Sequence, residues 1–554
     1  MSLHPQAICP VPEETVRIAH AAYPKGNLYM QVRDELGTIY EDQNFAHLFP
    51  HRGQPAEAPW RLLLVSVLQF AEGLSDRQAA DAVRGRLDWK YLLGLELTDP
   101  GFDASVLCEF RARLVEGKAE QKVLQPLLEV ANKHGWLKER GKQRTDSTHV
   151  LGAIRTLNRL ETVGETMRAT LNILATVVPE WLCSILSPDW FDRYEKRFEA
   201  YRLPKGKVER QRYAEQVGAD GFCLLQALYS KAAPSWLREI PMVQTLRQVW
   251  VQQYYASEGS VQWRVEEDLA PSALLIHSPY DVDARFSTKR DILWAGYKVH
   301  LTETCDDETP HLITHVETTP ATTYDGAVME TIHAALEEKG LLPEEHMVDS
   351  GYLDAEILVS SLDDHAVTLV GPVLVDTSWQ AKAEQGFAIT NFAIDWEQQQ
   401  VVCPVGKSSR LWIETHNRHG NNVIHIKFNP TDCLACPSRT LCTKAKSGAR
   451  MLTLHPHQQH YLALQQARKR QTTASFKETY ARRAGIEGTI AQGVHGFDLR
   501  RSRYIGLAKT RLQHALIASA LNLFRMGAWF MEKPRAQTRV SRFARLATVQ
   551  QVAA

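Results

Sequence analysis

The 554-residue sequence contains no run of about 18 consecutive apolar residues, so it offers no candidate membrane-spanning helix. Its longest apolar stretches, such as Leu62 to Leu68, have the length of core helices. The opening Met1-Ser-Leu-His-Pro-Gln lacks the charged-then-apolar pattern of an export signal, and a soluble intracellular protein is expected. No internal repeat or low-complexity tract is present, and neither HExxH nor GxSxG occurs. Gly406-Lys-Ser resembles the end of a phosphate loop, but Val401 stands where that loop needs glycine, which excludes it. Net charge is also missing, with 64 Lys plus Arg against 64 Asp plus Glu. Hydrophobic content of 44% and charged content of 23% are those of an ordinary globular protein, long enough for two or three domains.

The zero net charge conceals an uneven distribution. From Gln466 to Ala554 there are 17 Lys plus Arg and 4 Asp plus Glu, and the remainder is acidic by the same margin. A basic carboxy-terminal stretch on an acidic body points to a polyanionic partner, the alternative being a solvated basic tail. Arg468-Lys-Arg470, Arg482, Arg500, Arg501, Arg503, Lys509 and Arg511 are its candidate phosphate contacts. Affinity from such groups is salt-sensitive and carries little sequence information. Of nine cysteines, Cys9, Cys108, Cys183, Cys223 and Cys305 are scattered and read as reduced core residues. Cys403, Cys433, Cys436 and Cys442 cluster, with one Cys-x2-Cys and flanking turn residues. Four such thiols fit a closed tetrahedral zinc site better than a disulfide framework. His455, His457 or His460 could replace one ligand, and thiols that merely pack remain the alternative.

Residues 1–27 show no clear period and read as a loose amino-terminal arm. Residues 28–138 are helical by period, with Ser75-Asp-Arg-Gln78 as a capping box and Asp103 or Ser105 as a cap for 106–114. Arg77, Arg84, Arg86, Arg111 and Arg113 on these short helices suggest a helix-turn-helix-like DNA-binding domain, a plain bundle being the alternative. The period then switches to a strand around Arg144–Leu151 within 139–154, returns to helix over 155–275, and resumes as sheet over 276–375. In that last segment 295–303, 311–317, 345–349 and 366–371 read as strands and 325–339 as helix. Residues 376–455 are turn-rich and β-like, 456–530 helical with a break near Gly493–Gly496, and 531–554 a basic tail. The fold class is therefore α/β with a mixed sheet.

Tyr480-Ala-Arg-Arg483-Ala-Gly-Ile-Glu487 reads as Tyr-x2-Arg-x3-Glu on one helix. Helical spacing would place Tyr480 and Glu487 within roughly 20° of each other, along about 10 Å of axis. Far upstream, Asp146 stands inside a strand and Asp349 closes another before Ser-Gly-Tyr. Aspartate is depleted within strands, and the carboxyl end of a strand is where α/β sites collect. Two strand-borne aspartates and one helix-borne glutamate are the donor set for two-metal phosphoryl transfer. Asp281, Asp283, Glu303, Asp325 and Asp354 are rival ligands, and Lys298 and His300 could reach a phosphate or face solvent.

With Arg144-Thr-Asp-Ser-Thr-His149, Asp281-Val-Asp-Ala-Arg285, Gly296-Tyr-Lys-Val-His300, Val348-Asp-Ser-Gly-Tyr352, the Tyr480–Glu487 motif and Arg500-Arg-Ser-Arg-Tyr504, the chain resembles the DDE-type transposases of bacterial insertion sequences. More closely, it resembles the Tyr-x2-Arg-x3-Glu branch, over roughly residues 30–530. It implies a ribonuclease-H-like mixed sheet flanked by helices, interrupted by a helical insertion and a β-rich four-cysteine insertion, preceded by the all-α domain. By the same resemblance Asp146, Asp349 and Glu487 are the catalytic, metal-binding triad, served by Mg²⁺ or Mn²⁺; structural Zn²⁺ on the cysteines rests on their spacing alone. Tyr480 and Arg483 would position DNA phosphates. The family pattern continues with Lys or Arg seven residues past the glutamate, where this chain has Val494, so Arg500, Arg501 or Lys509 would supply that charge. The implied activity is cleavage at terminal inverted repeats and strand transfer into target DNA, by a homodimer on double-stranded DNA in the cytoplasm, associated with the nucleoid. A non-catalytic, domesticated DNA-binding protein with a zinc module, or a related nuclease without strand transfer, is the alternative.

Overall fold

A computed structural model describes residues 2–5, 8–257, 259–289, 292–383 and 386–534, so most of the expected basic tail lies outside the described residues. Two compact units divide the chain: Met1–Lys138, Asp146–Thr323 and Ile486–Ala554 form the first, Glu139–Thr145 and Tyr324–Gly485 the second.

The first unit is built around one long helix, Leu507–Phe530, which packs on the helices Leu28–Leu36, Pro59–Ala71 and Gln121–Lys133 and on the strand Ile313–Pro320. Helix Pro59–Ala71 is apolar almost all round and buried from Leu62 to Phe70, as such a pattern requires. Asn522 behaves as a strand substitute, accepting from the Ile313 N–H and donating to its carbonyl, both at 2.8 Å. Gly527 is needed because Leu28 Cδ1 occupies the place of a Cβ. The Ser75 capping box forms as its sequence predicts, opening Asp76–Gly85. The segment expected to be a loose arm instead holds a helix, Glu13–Ala22. Pro12 precedes it and Glu13 and Glu14 fill its first turn, both favourable at a helix start.

The sheet of this unit centres on the strand Ile292–Thr304, antiparallel to Arg285–Lys289 and to Ile313–Pro320. Its other neighbour is the Arg140–Leu151 strand, whose second half belongs to this unit. Helices Arg159–Val177, Lys207–Leu228 and Pro241–Gln253 share a separate core of Leu160, Met167, Val217, Leu224, Leu246 and Trp250. A two-stranded hairpin, Tyr254–Ser257 with Ser260–Trp263, closes this region where helix alone is expected from period.

In the second unit, residues 140–144 pair in parallel with Pro343–Met347, which pairs in parallel with Thr368–Val370. Helices Met329–Glu338 and Ala355–His365 bury Ile332, Leu336, Val348 and Leu369. Further along, Leu411–His416, Asn422–Lys427 and Met451–Leu454 form a three-stranded antiparallel sheet over a small core of Val401, Ile424, Ile426 and Leu454. Helices Gln458–Arg470 and Ala474–Ala481 follow.

Three sequence expectations fail on packing. Cys9, Cys108, Cys183 and Cys223 are exposed, and Cys305 alone of the scattered five is buried. The Gly493–Gly496 stretch lies inside the helix Ala484–Phe497, with Leu499 packed where a Gly493 side chain would stand. The Tyr480–Glu487 motif is not one helix: Tyr480 is in Ala474–Ala481, Arg483 in a turn, and Glu487 in the next helix. At that turn the N–H groups of Arg482, Arg483 and Gly485 bond three residues back, to Thr479, Tyr480 and Arg482. Buried Arg144 donates to the Arg482 carbonyl, and its guanidinium fills the space beside Gly485. A side-chain donor on that carbonyl draws it out of the helical ladder, which ends the helix. The angular relation expected of a continuous helix therefore does not hold.

Candidate active site and thiol cavity

Within the first unit, Asp146 is half-buried in the Arg140–Leu151 strand and accepts the Ser147 N–H at 2.8 Å. The end of this strand is zipped to the segment carrying Arg500 and Arg501. The Leu151 N–H donates to the Arg500 carbonyl at 2.7 Å, the Ser502 N–H donates to the Leu151 carbonyl at 2.9 Å, and Arg500 Nε donates to Thr148 Oγ1 at 2.8 Å. Glu487 is exposed in the first turn of its helix, and Lys509 is exposed in the first turn of Leu507–Phe530. Two residues past Glu487, Thr489 donates to buried Glu303 at 2.6 Å. Arg525 donates to the same Glu303 oxygen at 2.7 Å, so this cluster anchors the helix that carries Glu487.

Within the second unit, Asp349 follows the Pro343–Met347 strand and caps a short turn, accepting the Ser350 N–H at 2.6 Å. Arg483 reaches the Asp349 carboxylate at 3.9 Å, so the structure brings these two predicted site residues together. Tyr480 stacks on Phe476 at 5.6 Å between ring centroids. Beneath the strand, Thr145 Oγ1 meets His346 Nε2 at 2.7 Å, and His346 Nδ1 meets His333 Nε2 at 3.0 Å. Burial holds His346 well below its ordinary pKa and pushes His333 down to about 4, keeping both neutral.

Four of the five rival acids, Glu303, Asp281, Asp283 and Asp354, have partners within the fold. Buried Asp281 accepts from the Tyr297 hydroxyl at 2.7 Å and from the Ala284 and Gly506 N–H groups at 3.2 Å. Asp283 accepts the Leu507 N–H at 3.0 Å, at the start of the long helix. Asp354 caps Ala355–His365, and Asp325 follows Tyr324, which holds the cap position before 325–328. Lys298 donates to the Thr323 carbonyl at 2.6 Å and His300 is fully buried, so His300 does not face solvent.

Several basic residues read as DNA contacts also have internal partners. Arg111 pairs with Asp76 at 2.6 Å, Arg86 with Asp88 at 2.6 Å, Arg84 with Asp81 at 2.8 Å, and Arg113 lies over Phe49. Arg468 donates to the Leu374 carbonyl at 2.9 Å and Arg503 to that of Leu74 at 2.9 Å. Arginines with several fixed acceptors are hard to tell from ligand-binding ones in a sequence.

Cys403, Cys433, Cys436 and Cys442 line one cavity of the second unit, together with Lys407, Asp432, Arg439 and Arg450. The Lys407 N–H donates to Cys403 Sγ at 3.3 Å across the Pro404–Gly406 turn. Burial pushes the Cys442 thiol up, with Arg450 pulling the other way. His455, His457 and His460 form their own ring cluster, with centroids 4.8–6.0 Å apart, and none of the three lines the thiol cavity. Among the described residues, no group of three or more His, Cys, Asp or Glu could hold a metal ion as it stands. Sequence reasoning took Glu303 for a rival ligand and passed over Arg525, His346, Arg439 and Arg450 as supporting residues. Each is an ordinary residue in its local stretch, and only its distant partners reveal it.

Residues 402–527 match a family model described as a transposase DDE domain, and residues 19–113 match one described as a transposase domain (DUF772). No curated protein matches the chain. The two matches support a DDE transposase of insertion-sequence type, a class of DNA-cleaving enzyme, with DNA as the implied partner. The DDE match takes in Glu487, Tyr480, Arg483, Arg500, Arg501, Lys509 and the four clustered cysteines, but starts beyond Asp146 and Asp349. No helix among the described residues is long and apolar enough to cross a membrane.

Proposed function

We propose that this protein is a transposase of the Tyr-x2-Arg-x3-Glu branch, cutting DNA at terminal inverted repeats and joining the 3′ ends to target DNA. Asp146, Asp349 and Glu487 are assigned as the carboxylate ligands of Mg²⁺ or Mn²⁺. Their donor chemistry fits: three carboxylates suit a hard cation that keeps water and phosphate as further ligands. Bound there, the metal supplies Lewis acidity for an in-line displacement at phosphorus. The protein's own groups do the rest. Arg483 balances the Asp349 carboxylate and offers a planar donor fork for a phosphate. Arg500, Arg501 and Lys509 supply the positive charge that Val494 does not, and Tyr480 offers a hydroxyl beside the same motif.

The observation that carries the reading is the Arg483–Asp349 pair, which ties the signature motif, inside the DDE match, to an aspartate far outside it. A ribonuclease-H-like core is supported by the antiparallel strands of the first unit and the parallel pairs of the second. The helices within 28–138 are assigned to DNA and the protein to a homodimer on its element ends, in the cytoplasm at the nucleoid. The module within 376–455 is assigned a structural zinc. Its four thiols line one cavity, one of them already accepts a backbone N–H, and all-thiolate donors suit zinc.

The test is nicking and joining of a plasmid carrying the repeats that flank the gene, with Mg²⁺. Wild type is expected to cut and join; Asp146→Ala, Asp349→Ala and Glu487→Gln are expected to bind the repeats and leave them intact. Variants that cut as fast as wild type would remove the triad. Binding without cutting by every form would favour a domesticated DNA-binding protein, and cutting without joined product a nuclease.

A further inference from the structure

Residues 404–450 carry 8 Lys plus Arg and only 2 Asp plus Glu, a basic island in the part of the chain that is acidic as a whole. Half of these cations are engaged within the second unit. Lys407 lies 4.0 Å from Asp432, Arg439 donates to the Cys433 carbonyl at 3.0 Å, Arg450 lies over Phe392, and Lys444 over Trp379. Arg410, Arg418, Lys427 and Lys446 are exposed and pair with no acid among the described residues. Three of those four belong to one hairpin, in which Leu411–His416 runs antiparallel to Asn422–Lys427 and Glu414 is the single acid. Arg410 and Lys427 stand at its base and Arg418 at its tip. The tip is fixed from within. Asn417 Oδ1 accepts the His419 N–H at 2.8 Å and the Asn421 N–H at 3.1 Å, and its carbonyl accepts the Gly420 N–H at 2.9 Å. Gly420 takes φ +82°, a conformation that favours glycine. This leaves Arg418, His419, Asn421 and Asn422 exposed around the turn; Arg418 Nε donates to His419 Nε2 at 3.0 Å, and the two amides have no side-chain bond among the described residues. Unpaired charges of one sign repel each other, a cost that a polyanion removes.

We propose that this hairpin is a reader of double-stranded DNA, its tip in the major groove and its base on the phosphates of the groove walls. The dimensions agree: two strands about 5 Å apart and about 20 Å long form a ribbon that a groove about 12 Å wide admits. Guanidinium, imidazole and amide groups at the tip are the side chains that hydrogen-bond to base edges, whereas Arg410 and Lys427 bind phosphate without regard to sequence. A tip already fixed in shape loses little freedom on binding. The inference rests on the transposase reading only for its partner, DNA; it places sequence recognition on a surface outside the helices of 28–138 and outside the Tyr480–Glu487 motif.

The probes are a duplex carrying one of the repeats that flank the gene and a scrambled duplex of equal length, each titrated with the full chain and read by fluorescence anisotropy. The double variant Arg418→Ala, His419→Ala is expected to bind the repeat about 10-fold more weakly and the scrambled duplex as wild type does. Arg410→Gln with Lys427→Gln is expected to weaken both duplexes alike and to lower the salt slope by about 2. All four changes are at exposed positions, and urea titration checks that the fold is kept. A photo-crosslinker carried at position 419 gives a second readout and is expected to couple to bases of the repeat. Equal loss on both duplexes in the tip variant overturns base reading, and wild-type affinity for both overturns the hairpin as a DNA surface. Absence of coupling from position 419 overturns it as well. In each of these cases a wild type that still prefers and cuts the repeat leaves the transposase reading standing. A wild type that neither prefers nor cuts the repeat removes both.

Discussion

The Leu507–Phe530 helix and the thiol-lined β module are stabilised in opposite ways. The helix is covered on most sides by apolar side chains, and its polar groups are paired inside: Asn522 with a strand backbone, Ser519 with the Val123 carbonyl, Arg525 with Glu303. The module has a core of a few residues and leaves Leu411, Leu434 and Met451 exposed. A small domain of that kind gains little from burial and gains most from a cross-link or a metal. Among the acids, Glu303 and Asp281 are buried and hold the frame, whereas Asp146 and Asp349 are half-buried and Glu487 is exposed.

The comparison breaks at its weakest end if the metal is not what holds the module. Prolonged chelation of the full chain, or Cys433→Ser, is expected to open 386–455 to limited proteolysis while the Leu507–Phe530 region stays protected. Structural zinc contributes about 10–16 kcal/mol in small domains, so a module that resists protease without metal would remove the contrast. Next in size, Glu303→Ala removes the buried carboxylate that balances the Arg525 charge, leaving the guanidinium only the neutral acceptors His311 carbonyl, Thr489 and Gln492. Loss of about 3–5 kcal/mol of unfolding free energy is expected by denaturant titration; a loss within 1 kcal/mol, read against about the same scale, would show that solvent reaches Arg525.

Acid sharpens the contrast further. Burial pushes His514 down to about 3, while an unfolded histidine titrates near its ordinary 6.5. Between those values only the unfolded chain takes up the proton, so the contribution is complete above 6.5 and is lost as pH falls toward 3. The slope is at most about 1.4 kcal/mol per pH unit, and His514→Gln should flatten that limb of the stability curve. Smallest is Ser75→Ala, which removes a capping box and should cost about 1 kcal/mol without changing the slope of a urea titration.

Short-range features were legible in the sequence because their physics is local. The Ser75 box needs residues three apart, the Arg140–Leu151 strand shows β-branched side chains, and the tight cysteine spacing places four thiols near one another. The helix Glu13–Ala22 was missed, although Pro12 and two first-turn glutamates mark its start. The break at Arg483 was not legible, because its cause is Arg144, more than 300 positions away. Nor could the sequence separate Glu303 and Asp281 from Asp146 and Asp349. Each is an acid in or near a strand, and only the groups facing it decide between frame and ligand.

The chain by itself determined most of the helices and strands, where the thiols gather, and that acids suited to a hard cation stand on strands and a helix. Those follow from spacing and side-chain chemistry over a few residues. Only the tertiary structure decided which acids and arginines are spent on each other, that Arg483 turns toward Asp349, and that the motif bends between two helices. A charge's role depends on its partners, and partners brought in from distant positions leave no mark on local sequence.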